Sequence, residues 1–190
     1  MKEAVFNQKQ SIMKTKWLVR VGVLGSLSFV VMLLEFYIGF AEFLKLDFSD
    51  IIVMIGGITM GPLAAAAIQL IKNLLKVVII TRTAGIGELA NLIVGLAFVL
   101  PAVTIYHHKK STRTLLIGLV VGILSMVTIG ALANYFVLLP FWGIKDAAGR
   151  IALLTSALIP FNFIKGIVIT ILTLVVHTGL KPVYRYLALK

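Results

Sequence analysis

The chain has 190 residues, of which 60% are hydrophobic and 13% are charged, and its formal net charge is +11. Soluble domains are about 25% charged, so this composition excludes an ordinary soluble domain. The basic residues fall in short segments between long apolar runs, which argues against nucleic-acid binding and favours loops at an anionic lipid bilayer surface. There is no cysteine, which excludes disulfides and thiolate chemistry.

The apolar runs predict an all-α integral membrane protein, a six-helix transmembrane bundle in a single domain covering 1–190. About 20 apolar residues cross a hydrocarbon core of roughly 30 Å. The predicted helices cover about 17–39, 51–60, 62–80, 87–106, 114–139 and 151–176. The second and third are separated at Pro62, because proline is disfavoured inside a helix but favoured at its first position. Neither is expected to be a full-length span, so they should pack as a re-entrant-like pair or cross a thinned bilayer.

The distribution of Lys and Arg predicts that both termini are cytoplasmic. With the N-terminus inside, the inner segments carry most of the basic residues, as in the positive-inside rule. The basic residues of the outer segments are few: Lys45, Arg82, Lys145 and Arg150.

Three lysines lie inside apolar helices, where a charged side chain is costly and usually faces the protein interior. Lys165 shares a helix face with Asn162, three residues earlier. Two interpretations remain open for this pair: one wall of an outward-opening polar pocket, or a lysine that reaches the headgroups or pairs with a carboxylate for packing. Lys72 and Lys76 are expected to balance Glu88 and another carboxylate, and ligand contact is the less favoured alternative.

Further polar residues lie near the predicted outer ends of other elements. They are Glu42, Lys45 and Asp47 on the first outer loop (40–50), Glu88 and Asn91 on the fourth helix, and Asn134 on the fifth. Convergent polar groups among apolar walls are typical of a small-molecule site. Each residue alone fits a structural role equally well, but their shared depth predicts an outward-facing ligand pocket.

Small residues on the first helix form a different pattern, Gly22-x-x-x-Ser26. Such faces let helices approach closely in lipid. The pattern fits either a partner-docking face or packing within the bundle. Gly118-x-x-x-Gly122 on the fifth helix repeats it, so the pattern does not discriminate between the two.

Several catalytic and energy-coupling motifs are missing from the sequence. There is no G-x-x-x-x-G-K-[ST] for a phosphate-binding loop and no H-E-x-x-H for zinc. His107 and His108 are expected to be solvated in an inner loop. Few acids lie within apolar helices, which argues against a proton-coupled secondary transporter. We therefore predict no enzyme and no metal site, and keep a membrane enzyme or small secondary transporter as the rival class.

Five segments in consistent order resemble the riboflavin-binding S component of bacterial energy-coupling factor (ECF) transporters. They are "LKLDFSDI", "GPLAAAAIQLIKNLLK", "GELANLIVGLAFVLPA", "ANYFVLLPF" and "IPFNFIKG", between about Phe48 and Gly166. The resemblance implies a bundle in the cell membrane that captures riboflavin from outside, with no catalytic cofactor. The near rival is an S component for another vitamin.

The resemblance also implies roles for particular residues. Asn134, Asn162 and Lys165 match the polar positions expected at the flavin ring. The loop expected to cover the ligand contains Glu42, Lys45, Leu46, Asp47 and Phe48. S components dock onto a transmembrane T protein that carries two ATPase subunits, usually through an A-x-x-x-A face on the first helix. Gly22 and Ser26 stand at the corresponding positions here.

Overall fold

The computed structural model describes residues 2–37, 44–81 and 83–188, with side chains over 13–36, 44–81 and 83–180. The described chain forms six helices and one short hairpin. Their bounds are α1 Lys2–Met32, β1 Phe36–Tyr37, β2 Lys45–Leu46, α2 Ser49–Met60, α3 Pro62–Ile80, α4 Ile86–Lys109, α5 Thr112–Phe141 and α6 147–188. Glu42 and Arg82, named above, lie outside the described residues.

The end of α1 differs from the prediction. The helix was expected to continue to Gly39 but ends at Met32, so that prediction is wrong. Phe36 pairs with Leu46 and Tyr37 with Lys45 in an antiparallel hairpin. This pairing gives the backbone after α1 hydrogen-bond partners outside the helix, and it bends the chain across the end of the bundle.

The predicted break between α2 and α3 lies where the sequence indicated it. Gly61 has a φ of 98°, a backbone conformation that residues with a Cβ rarely adopt. Pro62 is the first residue of α3. In the described parts of the chain, five helices are long and apolar enough to cross a membrane. The 19-residue α3 is one of them, so only the 12-residue α2 is too short, contrary to the expectation for both.

Glycines bring α4 and α5 close together. A Cβ at Gly118 would lie 2.5 Å from the Ala102 carbonyl oxygen, and one at Gly122 would lie 2.5 Å from that of Phe98. This glycine pair therefore serves packing within the bundle. The core around it includes the fully buried Val103 of α4 and Leu119 of α5.

Each of the last two helices contains one π-helical turn shortly before a proline. The turns are Asn134–Leu138 in α5 and Leu154–Leu158 in α6. One residue separates the first turn from Pro140, and one separates the second turn from Pro160. A proline ring clashes with the carbonyl four residues earlier, and the wider π turn relieves that clash while the helix continues. Both prolines therefore lie within continuous helices at the end of the bundle that carries the hairpin.

Candidate functional site

A cavity of about 800 Å³ opens at this end of the bundle. Small-molecule sites usually measure roughly 300–1,000 Å³. Six elements contribute to its wall: the end of α1, β2, the C-terminal part of α3, the N-terminal part of α4, and the π-turn regions of α5 and α6. The polar lining residues are Glu35, Lys45, Asp47, Lys76, Thr83, Glu88, Asn91, Asn134, Asn162 and Lys165.

Most of the predicted site residues meet in this cavity. Asn134, Asn162, Lys165, Asn91, Lys45 and Asp47 all line it. Leu46 and Phe48 are described but are not among its lining residues. Leu46 is buried, and Phe48 packs against the bundle core with its ring 5.5 Å from that of Phe36 in β1. These two side chains therefore anchor the hairpin to the bundle in this structure.

Two buried asparagines are brought together by Gly130. The Asn134 side-chain amide donates to the Gly130 carbonyl at 2.7 Å. A Cβ at position 130 would lie 3.1 Å from Asn162 Nδ2, so the absent side chain leaves room for Asn162. Within the described residues Asn162 makes no side-chain hydrogen bond. The carbonyl oxygen and the NH2 group of its amide are thus both available to a molecule in the cavity.

Beside these amides, Lys165 belongs to a buried ionic cluster of four residues, Asp47, Asp50, Lys72 and Lys165. Lys165 Nζ lies 3.2 Å from Asp47 Oδ2 and 3.2 Å from Asp50 Oδ2. Lys72 Nζ lies 2.5 Å from Asp50 Oδ1 and donates to Ser49 Oγ at 2.7 Å. Two acids and two bases balance within the cluster, as buried charges require. Lys165 therefore pairs with carboxylates and also lines the cavity, and its contact with a ligand stays a prediction.

The ion pairs of α3 correct the expected partner of its lysines. Lys72 pairs with Asp50, and Lys76 pairs with Glu35. Glu88 instead accepts hydrogen bonds from the Thr81 and Thr83 hydroxyls, at 3.1 and 2.8 Å. The prediction that Glu88 balances these lysines is wrong because Glu88 lies in the first turn of α4, beside the threonines of the preceding turn.

A second charged group closes the rim of the cavity. Glu35 accepts from Lys45 at 2.5 Å and also from Lys76, tying the end of α1 to β2 and α3. Burial alone would raise the pKa of Glu35, but hydrogen bonds from the two lysines and their charges hold it below its usual value.

Asp47 fixes the segment after β2. Its carboxylate accepts from the Ser49 backbone N–H at 2.9 Å, from the Ser49 hydroxyl, and from Asn91 Nδ2 at 3.4 Å. Burial opposes ionisation, but the charges of Lys165 and Lys72 and the Ser49 hydrogen bonds hold the pKa of Asp47 well below its usual value. The hairpin is therefore attached to the cavity floor by an ionised group.

Sequence reasoning did not identify Asp50, Glu35 or Trp142 as parts of the site. Asp50 lies in the first turn of the apolar helix α2, and a carboxylate at that place was the signal that could have found it. Trp142 lines the cavity. His107 was expected to be solvated but is half-buried, with Nε2 2.9 Å from the Gly57 carbonyl oxygen. Within the described ranges, no three His, Asp or Glu side chains gather as they would around a metal ion.

The predicted docking residues have a different environment. A Cβ at Gly22 would meet no atom within 4 Å, and Ser26 is exposed. Their neighbour Gly25 instead packs on Ile71 of α3, where a Cβ would lie 2.6 Å from Ile71 Cγ2. The Gly22–Ser26 face of α1 is thus open to a partner or to lipid.

Comparison with known proteins identifies the family. The model of the family "ECF transporter, substrate-specific component" matches residues 16–177. The chain belongs to this family. It is a multi-pass protein of the bacterial membrane in a family of transporter components, so the predictions of a helical membrane protein and of no enzymatic activity are confirmed.

Named relatives and a solved structure agree with the family. The riboflavin transporter FmnP of Bacillus subtilis is 37% identical over 90% of this chain and 94% of its own. The riboflavin transporter RibU of Staphylococcus aureus is 35% identical over 91% and 94%. A solved S component of a bacterial ECF transporter is 35% identical and superposes with a TM-score of 0.80 over 90% of this chain and 98% of its own.

Proposed function

We propose that the chain is the high-affinity riboflavin-binding subunit of an ATP-driven ECF importer. The observation that carries the proposal is the meeting of Asn134, Asn162 and Lys165 from two helices in one cavity of about 800 Å³. Relatives that are 35% and 37% identical over most of their length are named riboflavin transporters.

The chemistry of the cavity suits a flavin. The isoalloxazine ring carries carbonyl and ring-nitrogen acceptors along one edge and an N–H donor. Asn162 and Asn134 have amides that both donate and accept, and Lys165 donates a charged hydrogen bond. Leu138, Leu158 and Phe161 form apolar walls that suit the ring faces. The hydroxyls of the ribityl chain are matched by the polar rim.

Transport requires a partner, for which we propose the T protein with its two ATPase subunits. This chain has no phosphate-binding loop of its own, so ATP hydrolysis has to be supplied by another subunit. The open Gly22–Ser26 face of α1 supports docking at this position, because small residues there permit close helix approach.

Purification in detergent tests the ligand. Protein produced in riboflavin-containing cells is expected to be yellow and to show flavin absorbance, and ligand-free protein is expected to bind added riboflavin. Competition with thiamine, biotin and folate separates riboflavin from the rival vitamins. A colourless protein that does not bind riboflavin would refute the assignment. So would a protein that binds thiamine, biotin or folate more tightly than riboflavin.

A further inference from the structure

Two members of the ionic cluster lie behind the cavity wall instead of lining it. Asp50 is 1% exposed and Lys72 is 0% exposed, whereas Asp47 and Lys165 line the cavity. A buried lysine and aspartate far from solvent contribute little net stability compared with apolar side chains of the same size. Asp50 contacts Lys165 and Lys72 contacts Asp50, so a role in positioning Lys165 explains their presence better than a contribution to stability.

Two carboxylates hold the Lys165 ammonium group in place. Its ammonium group has three N–H donors, and carboxylate oxygens of Asp47 and Asp50 lie 3.2 Å from it. The Asp47 contact is a hydrogen bond and the Asp50 contact an ion pair, so an N–H donor remains for a ligand. Asp50 uses its other oxygen to bind Lys72 at 2.5 Å, so Asp50 bridges the two lysines.

Lys72 balances the second negative charge of this arrangement. Two carboxylates around Lys165 alone would leave a buried excess negative charge, which is strongly unfavourable. Without Lys72, both carboxylates would compete for the single ammonium group and draw it away from the cavity. Lys72 also donates to Ser49 Oγ, and that hydroxyl donates to Asp47. It therefore supports both acids.

We propose that Asp50 and Lys72 are positioning residues for the riboflavin site, holding the Lys165 ammonium group charged and directed into the cavity without touching the ligand. The inference rests on the proposed function. It assigns a binding role to two residues that are absent from the cavity wall.

Charge balance provides the test, with three variants compared with the unmodified protein. Lys72→Met removes the balancing charge, and Asp50→Asn/Lys72→Met removes one charge of each sign. Asn73→Leu is the matched control, because Asn73 is buried on the same helix but donates only to the Gln69 carbonyl within it. Riboflavin affinity is measured by titration in detergent, and thermal stability in parallel.

Lys72→Met is expected to weaken riboflavin binding about 10- to 100-fold, the effect that loss of an outer supporting group has at metal sites. The double variant is expected to recover most of that loss, while Asn73→Leu binds as the unmodified protein does. Recovery of binding by removal of a second charge is not expected of residues that only stabilise the fold.

Three outcomes would overturn the inference. The first is an unchanged riboflavin affinity in Lys72→Met. The second is a double variant that binds riboflavin no more tightly than Lys72→Met. The third is a loss of affinity that parallels the loss of melting temperature across all three variants. If Lys72→Met cannot be purified, Asp50→Asn replaces it, and equal affinity of Asp50→Asn and the double variant overturns the inference. Failure of the unmodified protein to bind riboflavin refutes the proposed function itself, and the inference with it.

Discussion

The Lys165 ammonium nitrogen lies 3.2 Å from Asp47 Oδ2, although 118 residues separate the two in the chain. This ion pair joins the segment after the hairpin to the helix at the opposite wall of the cavity. It places the Lys165 ammonium group in the cavity wall and ties the segment after β2 to the same group. The segment after the hairpin and α6 are therefore joined at Lys165, in the wall of the cavity.

Replacement of Lys165 by methionine is expected to weaken riboflavin binding at least about tenfold, because a charged hydrogen bond to the ligand is lost. The change also leaves two buried carboxylates with one lysine, a loss of roughly 3–5 kcal/mol in stability. Titration and thermal unfolding measure the two effects. Lys145→Met, on an exposed loop, is the control. Unchanged affinity would limit Lys165 to a structural role.

The two tryptophans should respond differently to the ligand. Trp142 lines the cavity, whereas Trp17 packs against the core. Bound riboflavin is expected to quench mainly Trp142, so Trp142→Phe should abolish most of the fluorescence change and Trp17→Phe should retain it. Equal quenching in both variants would place the ligand elsewhere.

Gly130 is expected to be a sensitive position. In Gly130→Ala the new Cβ would lie 3.1 Å from Asn162 Nδ2 and 3.3 Å from Val94 Cγ2. Overpacking costs about 1–3 kcal/mol, and displacement of Asn162 should weaken riboflavin binding roughly tenfold. The control is Gly179→Ala, whose Cβ meets nothing within 4 Å. Equal affinities of the two variants would show that Asn162 does not need its present position.

Docking should be separable from ligand binding. Gly22→Trp and Ser26→Trp add bulk to the open face of α1 and are expected to abolish riboflavin uptake in cells while leaving affinity in detergent unchanged. Leu124→Trp, on an exposed part of α5, is the control for a bulky residue facing lipid. Normal uptake by both α1 variants would exclude this face as the docking site.

Low pH should weaken the ion pairs of Glu35 with Lys45 and Lys76. Its pKa is lower in the folded protein than in the unfolded chain, so its carboxylate stabilises the fold above the unfolded value of about 4.3. That contribution is lost as the pH falls towards the folded pKa. Unfolding measurements are expected to show Glu35→Gln less stable than the unmodified protein at pH 7, with a smaller difference below about pH 4. A difference independent of pH would contradict the ion pairs.

Much of the helical framework followed from local properties of the sequence. The apolar runs predicted six helices, and Pro62 marked the break before α3, because the exclusion of proline from helix interiors is a local property. Asn162 and Lys165 were recognised as one polar face, since their spacing places them together on any helix. The cytoplasmic location of the termini remains a prediction from charge.

Partners far apart in the chain were decided only by the tertiary structure. Lys72 pairs with Asp50 and not with Glu88, because hydropathy does not record which helix ends lie side by side. The end of α1 at Met32 depends on pairing between residues 36–37 and 45–46. The sequence by itself determined that polar groups lie within apolar helices. The packing of α1 to α6 determined which of them line the cavity and which balance one another's charge.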